Sequence, residues 1–200
     1  MSTVLFWFRN NLRLRDQPAL RAALTSGATR LLPVVRLPEP DEPTPWGFAR
    51  VGAHRRAFTA AALRGLQGQM STLGNPLLIC QAPPATALPR LAQAVGATTV
   101  VCEDIAAPYE QAEVAALRAA GLQVRTVWHS SLLPPARMPW AVDQLPGVFT
   151  TFRQKVERAG ITPAAPLPVP TKLLPPPEVP GPVLQAVGAE QGAASIQQTT

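Results

Sequence analysis

The sequence predicts an α/β protein: a Rossmann-like doubly wound sheet of five parallel strands, followed by a proline-rich linker. Three observations predict it. Apolar runs of strand length recur along the chain, they alternate with segments whose apolar residues repeat at helical spacing, and glycine sits where most of the helical segments end. With 200 residues and 46% hydrophobic content, one domain of ordinary size can bury a core of its own.

Residues 4–8 form the first strand. Asp16 is expected to cap the first helix, with Pro18 in the first turn, Leu20, Ala23 and Leu24 as the inward stripe and Gly27 as the stop. Residues 31–35 make the second strand, and the prolines of residues 37–46 then exclude regular structure. A long helix is expected over residues 52–73, where Phe58, Ala62, Leu66 and Met70 repeat every four residues as its buried face. Gly74 and Pro76 end it ahead of a third strand at residues 77–80.

Residues 84–95 carry Leu88, Leu91, Ala92 and Val95 on one helical face and stop at Gly96, which leads to the fourth strand at residues 98–103. A helix over residues 109–120 ends at Gly121, and residues 124–128 supply the fifth strand. With right-handed crossovers and a strand order of 3-2-1-4-5, the ligand crevice falls at the carboxyl ends of strands one and four. Beyond it, Thr151 and Gln154 form a capping-box pair, and Phe149, Phe152 and Val156 share a face, predicting a short helix over residues 151–159. Nine of the twenty residues 163–182 are proline, so that stretch is expected to run extended and unpacked. Residues 183–200 are small and polar and are expected to fray. The division is therefore a domain at residues 1–160 and a linker with a tail at residues 161–200.

The apolar runs are too short to span a membrane, and the N-terminus lacks the layout of a signal peptide, so a cytoplasmic protein with no membrane contact is expected. Cys80 and Cys102 are too few for a disulfide framework, and neither stands near His54 or His129 at metal-ligand spacing; they are expected to be inert core thiols, and no metal site is expected. Sixteen arginines against two lysines give a net charge of +6, which permits contact with anions, but neither aromatic interleaving nor a DNA-binding motif is evident beside it.

Several separated segments resemble one family in one order. Residues 7–20, WFRNNLRLRDQPAL, are similar to the opening motif of the DNA photolyase and cryptochrome family, and Leu32-Pro33-Val34-Val35 to its second strand. The helix beginning at Arg50, the loop Ala107-Pro108-Tyr109-Glu110 and residues 148–157 resemble later segments. The last of these, with Met138-Pro139-Trp140 and Leu145-Pro146, is most like the DASH-type cryptochromes. The likeness covers residues 4–158. It departs from the family pattern at Asn11, which removes an acid beside two arginines, at Gln17, and at Pro38-Glu39.

The resemblance implies blue-light DNA repair or photoreception, with this segment as the antenna-chromophore domain. The cofactor it implies is methenyltetrahydrofolate or a flavin antenna, held by Glu110 with Tyr109, Arg9 and Glu103 around it. Glu110 is equally explained as a favourable charge at a helix N-terminus. Arg9 and Arg13 are open to several readings: holding an anionic ligand tail or the family's helical domain, standing in a solvated loop, or pairing internally with Asp16 or Glu103. His129 shows no partner acid in sequence, and no catalytic residue is assigned. In the family a helical domain follows and holds the catalytic FAD. Only Gly188-Ala189-Glu190 resembles its start, so that domain is expected to be absent from a chain ending at Thr200, and FAD to require a separately encoded helical partner. DNA is then an indirect partner. The oligomeric state is left open. A general nucleotide-binding module is the alternative, weakened by the lack of a glycine-rich phosphate loop, and a non-catalytic interaction module is a third reading.

Overall fold

The computed structural model describes residues 1–38, 42–44 and 46–190. Five parallel strands, β1 (Thr3–Phe8), β2 (Arg30–Arg36), β3 (Leu78–Cys80), β4 (Thr99–Asp104) and β5 (Gln123–Trp128), alternate with the helices α1 (Pro18–Leu24), α2 (Ala53–Thr72), α3 (Pro84–Ala94) and α4 (Pro108–Ala119). Two short turns of 3-10 helix precede α5 (Phe149–Arg158), and α6 (Gly181–Ala186) leads to β6 (Ala189–Glu190). The sheet order is β5-β4-β1-β2-β3-β6, which carries the expected 3-2-1-4-5 arrangement with one antiparallel strand added at the β3 edge.

β1 is buried throughout because the sheet is covered on both sides. Its alternate side chains go to opposite faces. Val4, Phe6 and Phe8 pack with α1 and α2, whereas Leu5 and Trp7 pack with α3 and α4. The Phe6 and Phe8 rings meet edge to face with centroids 4.6 Å apart, a geometry that contributes about 0.5–1.5 kcal/mol beyond the area buried. Among the described residues no helix is long and apolar enough to cross a membrane.

Several expectations are corrected. Asp16 does not cap α1, since Gln17 takes that position without a side-chain bond. Asp16 instead adopts φ 48°, the one positive φ outside glycine among the described residues. The buried face of α2 is Ala60, Leu63, Leu66, Gln67 and Met70, and Phe58 is 75% exposed. A strict four-residue repeat advances 400° per step on a 3.6-residue helix, so it drifts off the core face within two turns. The helix α5 begins at Phe149, two residues before the expected capping box, and Val148 caps it without a side-chain bond.

The proline-rich stretch is extended, as its composition dictates, yet it is packed. The Asp16 amide donates to the Leu167 carbonyl at 2.9 Å, and Asp16 Oδ1 accepts from the Leu167 amide at 3.1 Å. Further on, Leu173 is 4% exposed among the α1 and α2 residues, the Leu31 amide donates to Pro175 O, and Asn75 Nδ2 donates to Leu174 O at 2.7 Å. Val179 and Val187 are buried in the opposite cluster, with α3 and α4. The strap therefore passes from one face of the sheet to the other, and residues 183–190, expected to fray, form most of α6 and the strand β6 on β3. Residues 191–200 lie outside the described residues.

Candidate functional site

A crevice of about 920 Å³ opens at the carboxyl ends of β1 and β2. Its walls come from the loop after β1, the loop between β2 and α2, the first turns of α2, and the start of α4. The strand order puts the expected crevice between β1 and β4; it lies instead over β1 and β2, because the loop between β2 and α2 supplies one wall and the β4 side contributes only the start of α4.

Four exposed aromatic side chains contribute to it: Trp46, Phe48, Phe58 and Tyr109. Trp46 and Phe48 stack at 6.1 Å with 17° between the rings, and the Arg50 guanidinium lies 3.7 Å from the Tyr109 ring centroid. Arg36 and Glu42 form a short ion pair on one wall, and Arg36 Nε also donates to Gln81 O. Of these residues, sequence reasoning identified only Tyr109 as a site residue. The missed signal is the run of residues 46–58, in which Trp46, Phe48 and Phe58 interleave with Arg50, Arg55 and Arg56. The aromatic interleaving not recognised in the sequence is therefore present at this crevice.

Glu110 lines the crevice from the first turn of α4, half-buried, and its carboxylate has no hydrogen bond or ion pair among the described residues. Arg9 also lines the crevice but is engaged within the protein. Its Nη2 donates to the Glu110 carbonyl at 2.8 Å and to Glu113 Oε2 at 2.9 Å, Nη1 donates to the Glu103 carbonyl at 3.4 Å, and the guanidinium lies over the Trp7 ring at 4.5 Å. Arg9 is paired internally, but with Glu113 as the acid rather than the expected Asp16 or Glu103, of which only the Glu103 carbonyl is bound. Arg13 pairs with Asp16 at 3.5 Å, with both side chains about half exposed. The loop carrying these arginines is closed from inside by Gln17, whose Nε2 donates to Asn11 O and Arg13 O.

Glu103 is not among the residues lining the crevice. It points to β5, where Oε1 stands 3.6 Å from His129 Nε2 and accepts from Ser130 Oγ at 3.1 Å. The parallel pairing of Glu103 with Val127 puts these side chains together, and no periodicity in the sequence announces it. His129 Nδ1 lies 3.2 Å from Val127 O, a contact that is a hydrogen bond in the tautomer with the proton on Nδ1. Burial holds the His129 pKa below its ordinary value of 6.5, against the opposing pull of Glu103. Both cysteines are buried and free, and burial pushes Cys80 up to about 11 and Cys102 up to about 12. No group of three or more His, Cys, Asp or Glu residues suited to a metal ion occurs among the described residues.

An aromatic-rimmed crevice with one unpartnered carboxylate suits a flat heteroaromatic molecule with N–H groups on one edge. Aromatic faces sandwich or cover the ring, and the carboxylate accepts from its edge and fixes its orientation. Arg9 and Arg36 are already engaged, which leaves Glu110, the aromatics and the exposed Arg55 among the lining side chains open to a ligand.

Comparison with known proteins places this geometry. The family model described as DNA photolyase matches residues 4–172. Cryptochrome DASH of Synechocystis sp. is 32% identical over 183 residues, covering 88% of this chain and 37% of the relative. Cryptochrome DASH of Gloeobacter violaceus is 34% identical over 197 residues, covering 92% of this chain and again 37% of the relative. Among solved structures, the Synechocystis sp. PCC6803 cryptochrome superposes with a TM-score of 0.82 at 30% identity, over 90% of this chain and 38% of that one. A class III photolyase from Agrobacterium tumefaciens gives 0.73 at 28% identity, over 90% and 36% respectively. The chain thus spans little more than a third of the length of these proteins.

Proposed function

The chain belongs to the DNA photolyase family, and on that premise we propose that its α/β domain holds an antenna chromophore, methenyltetrahydrofolate or a flavin, in the crevice above β1 and β2. The observation that carries this reading is Glu110, its carboxylate without a partner among the described residues, lining a crevice rimmed by exposed aromatic rings. Glu110 would accept from the edge of the chromophore ring, with Tyr109, Trp46 and Phe48 offering the flat faces. Such a chromophore absorbs near-ultraviolet or blue light, and the protein's share is to position it and keep it from solvent.

Light collected here has use only beside a flavin that receives it. The acceptor is a FAD-binding helical domain, in the same polypeptide or supplied by another, and DNA is engaged through that domain. Exposed apolar side chains outside the sheet support a docking role of this kind, among them Leu132, Val148 and Phe149.

Reconstitution tests the proposal. Purified chain mixed with methenyltetrahydrofolate, and separately with flavin mononucleotide, should retain one of them through gel filtration, with induced circular dichroism in its absorption band. Glu110→Gln should weaken retention about tenfold or more, the loss of a charge-assisted hydrogen bond. Retention of neither chromophore would refute the antenna assignment.

A further inference from the structure

We infer that Arg9 is a positioning residue, which sets where the Glu110 carboxylate and the Tyr109 ring stand by clamping the first turn of α4 from behind. This inference rests on the chromophore reading above.

Arg9 leaves the carboxyl end of β1 with a side chain only 3% exposed. Its partners lie on two other elements: Glu103 O on β4, and Glu110 O and Glu113 Oε2 on α4. Both protons of Nη2 are used on α4, and the flat of the guanidinium rests on Trp7. A buried cation with that many acceptors in fixed directions defines a geometry, because each N–H of the planar fork points one way.

The residue it grips is the one that matters at the crevice. Glu110 gives its carbonyl to Arg9, while the residue lines the crevice and its carboxylate has no partner among the described residues. The start of α4 has little else to fix it: Ala107 caps it without a side-chain bond, and the other polar tie is Gln111 Nε2 to Asp104 and Ile105. Glu113 neutralises Arg9 at 2.9 Å, so the guanidinium does not draw the Glu110 carboxylate away from a ligand. Tyr109 lies one residue earlier and stacks with Arg50, so a shift of this turn moves the opposite wall as well.

Lysine keeps the charge but presents a point donor, and it cannot hold Glu110 O, Glu113 and Glu103 O together. The test is therefore a cycle of Arg9→Lys, Glu110→Gln and the double variant, each titrated with methenyltetrahydrofolate and with flavin mononucleotide. R9K should weaken binding about tenfold, as outer-shell partners do at metal sites, and should alter the induced circular dichroism of the chromophore that binds. In the E110Q background R9K should cost clearly less than it does alone, because the part of its effect that runs through the Glu110 carboxylate is already gone. Multiplying losses, or unchanged binding and dichroism in R9K, would overturn the inference.

If the unmodified chain binds neither chromophore, the antenna reading falls, and amide hydrogen exchange decides the clamp by itself. R9K should speed exchange at residues 111–114 relative to β1 and β4, and equal rates would sink it. Should R9K fail to fold, Glu113→Gln removes the charge from the other side of the pair. It is expected to loosen the same amides, and unchanged exchange in it would overturn the clamp.

Discussion

Leu173 sits within a stretch whose composition argues against packing, and its removal measures how far the strap belongs to the core. The side chain is 4% exposed and lies among the residues of α1, α2 and the β1 face they cover. Leu173→Ala deletes three carbons, about 2.4 kcal/mol of transfer free energy at roughly 0.8 kcal/mol for each. The cavity left behind adds to this, up to about 5 kcal/mol where the surroundings cannot close. The segment has no helix or sheet to hold it rigid, so it can relax inward, and the expected loss is about 3 kcal/mol. For a chain of this size that lowers Tm by about 6–12 °C. Urea unfolding followed by far-ultraviolet circular dichroism gives the free energy, with Val169→Ala as the control. Val169 is in the same strap but 44% exposed, and its truncation should cost less than about 0.5 kcal/mol. A loss below about 1 kcal/mol for Leu173→Ala, or equal losses for the two variants, would mean that the strap is not part of the folded unit.

Three other outcomes follow from named contacts. Asp16→Asn keeps an oxygen for the Leu167 amide and a residue that tolerates positive φ, and gives up only a half-exposed ion pair with Arg13, so about 0.5 kcal/mol or less should be lost. Asp16→Ala loses the hydrogen bond as well and should cost about 1–2 kcal/mol, with faster exchange of the Leu167 amide; a smaller loss in Ala than in Asn refutes the latch. His129 has its pKa held below 6.5 by burial, with Glu103, Arg13 and Asp16 as the charged groups that act on it. The unfolded chain takes up this proton near pH 6.5 while the folded chain resists it, so stability falls as pH drops from 6.5, by up to about 1.4 kcal/mol per unit, until the folded value is reached. Melting curves from pH 7.5 to 5.5 should be flatter for His129→Gln, and identical slopes would exclude the histidine as the source. Finally, with thiol pKa values raised to about 11 and about 12, Cys80 and Cys102 should resist a disulfide reagent at pH 8 until the chain unfolds, and prompt labelling of native protein would contradict their burial.

Much of the sheet was legible because its central strands are fully covered. Val4, Leu5, Phe6, Trp7 and Phe8 are apolar in succession, which a one-sided strand does not allow, and the helices between strands end at glycines with positive φ such as Gly96 and Gly121. The β-order followed from topology, but the crevice did not sit where that order alone puts it: it lies over β1 and β2 rather than between β1 and β4. What escaped the sequence is contact without period. The strap buries Leu173 and Val179 singly, and an extended segment lays down no stripe that a window can detect. Phe58 stood in an apparent stripe of α2 but drifted round to the crevice, which only the register of Leu63, Leu66 and Met70 against the sheet decides. Glu103 and His129 meet because β4 and β5 are paired in register, and they are 26 residues apart in sequence.

The opening motif therefore divides its labour in a way its letters do not reveal. Trp7 and Phe8 are core, Arg9 turns inward to α4, Gln17 closes the loop from beneath, Asp16 bonds the strap at Leu167, and Arg13 pairs with Asp16. Each is committed to the protein itself. The surfaces left for a ligand are Glu110, Arg55 and the aromatics of residues 46–58, which stand on other segments. It follows that the motif near β1 and the ligand preference can vary independently. A relative with the motif intact but different residues at positions corresponding to 46–58 should keep the fold and change its chromophore. Exchange of that loop between two such proteins should carry the preference with it while leaving the melting temperature close to that of the recipient, because Trp46, Phe48 and Phe58 are exposed and contribute little to the core. Preference that stays with the recipient's β1 loop would return recognition to the arginines.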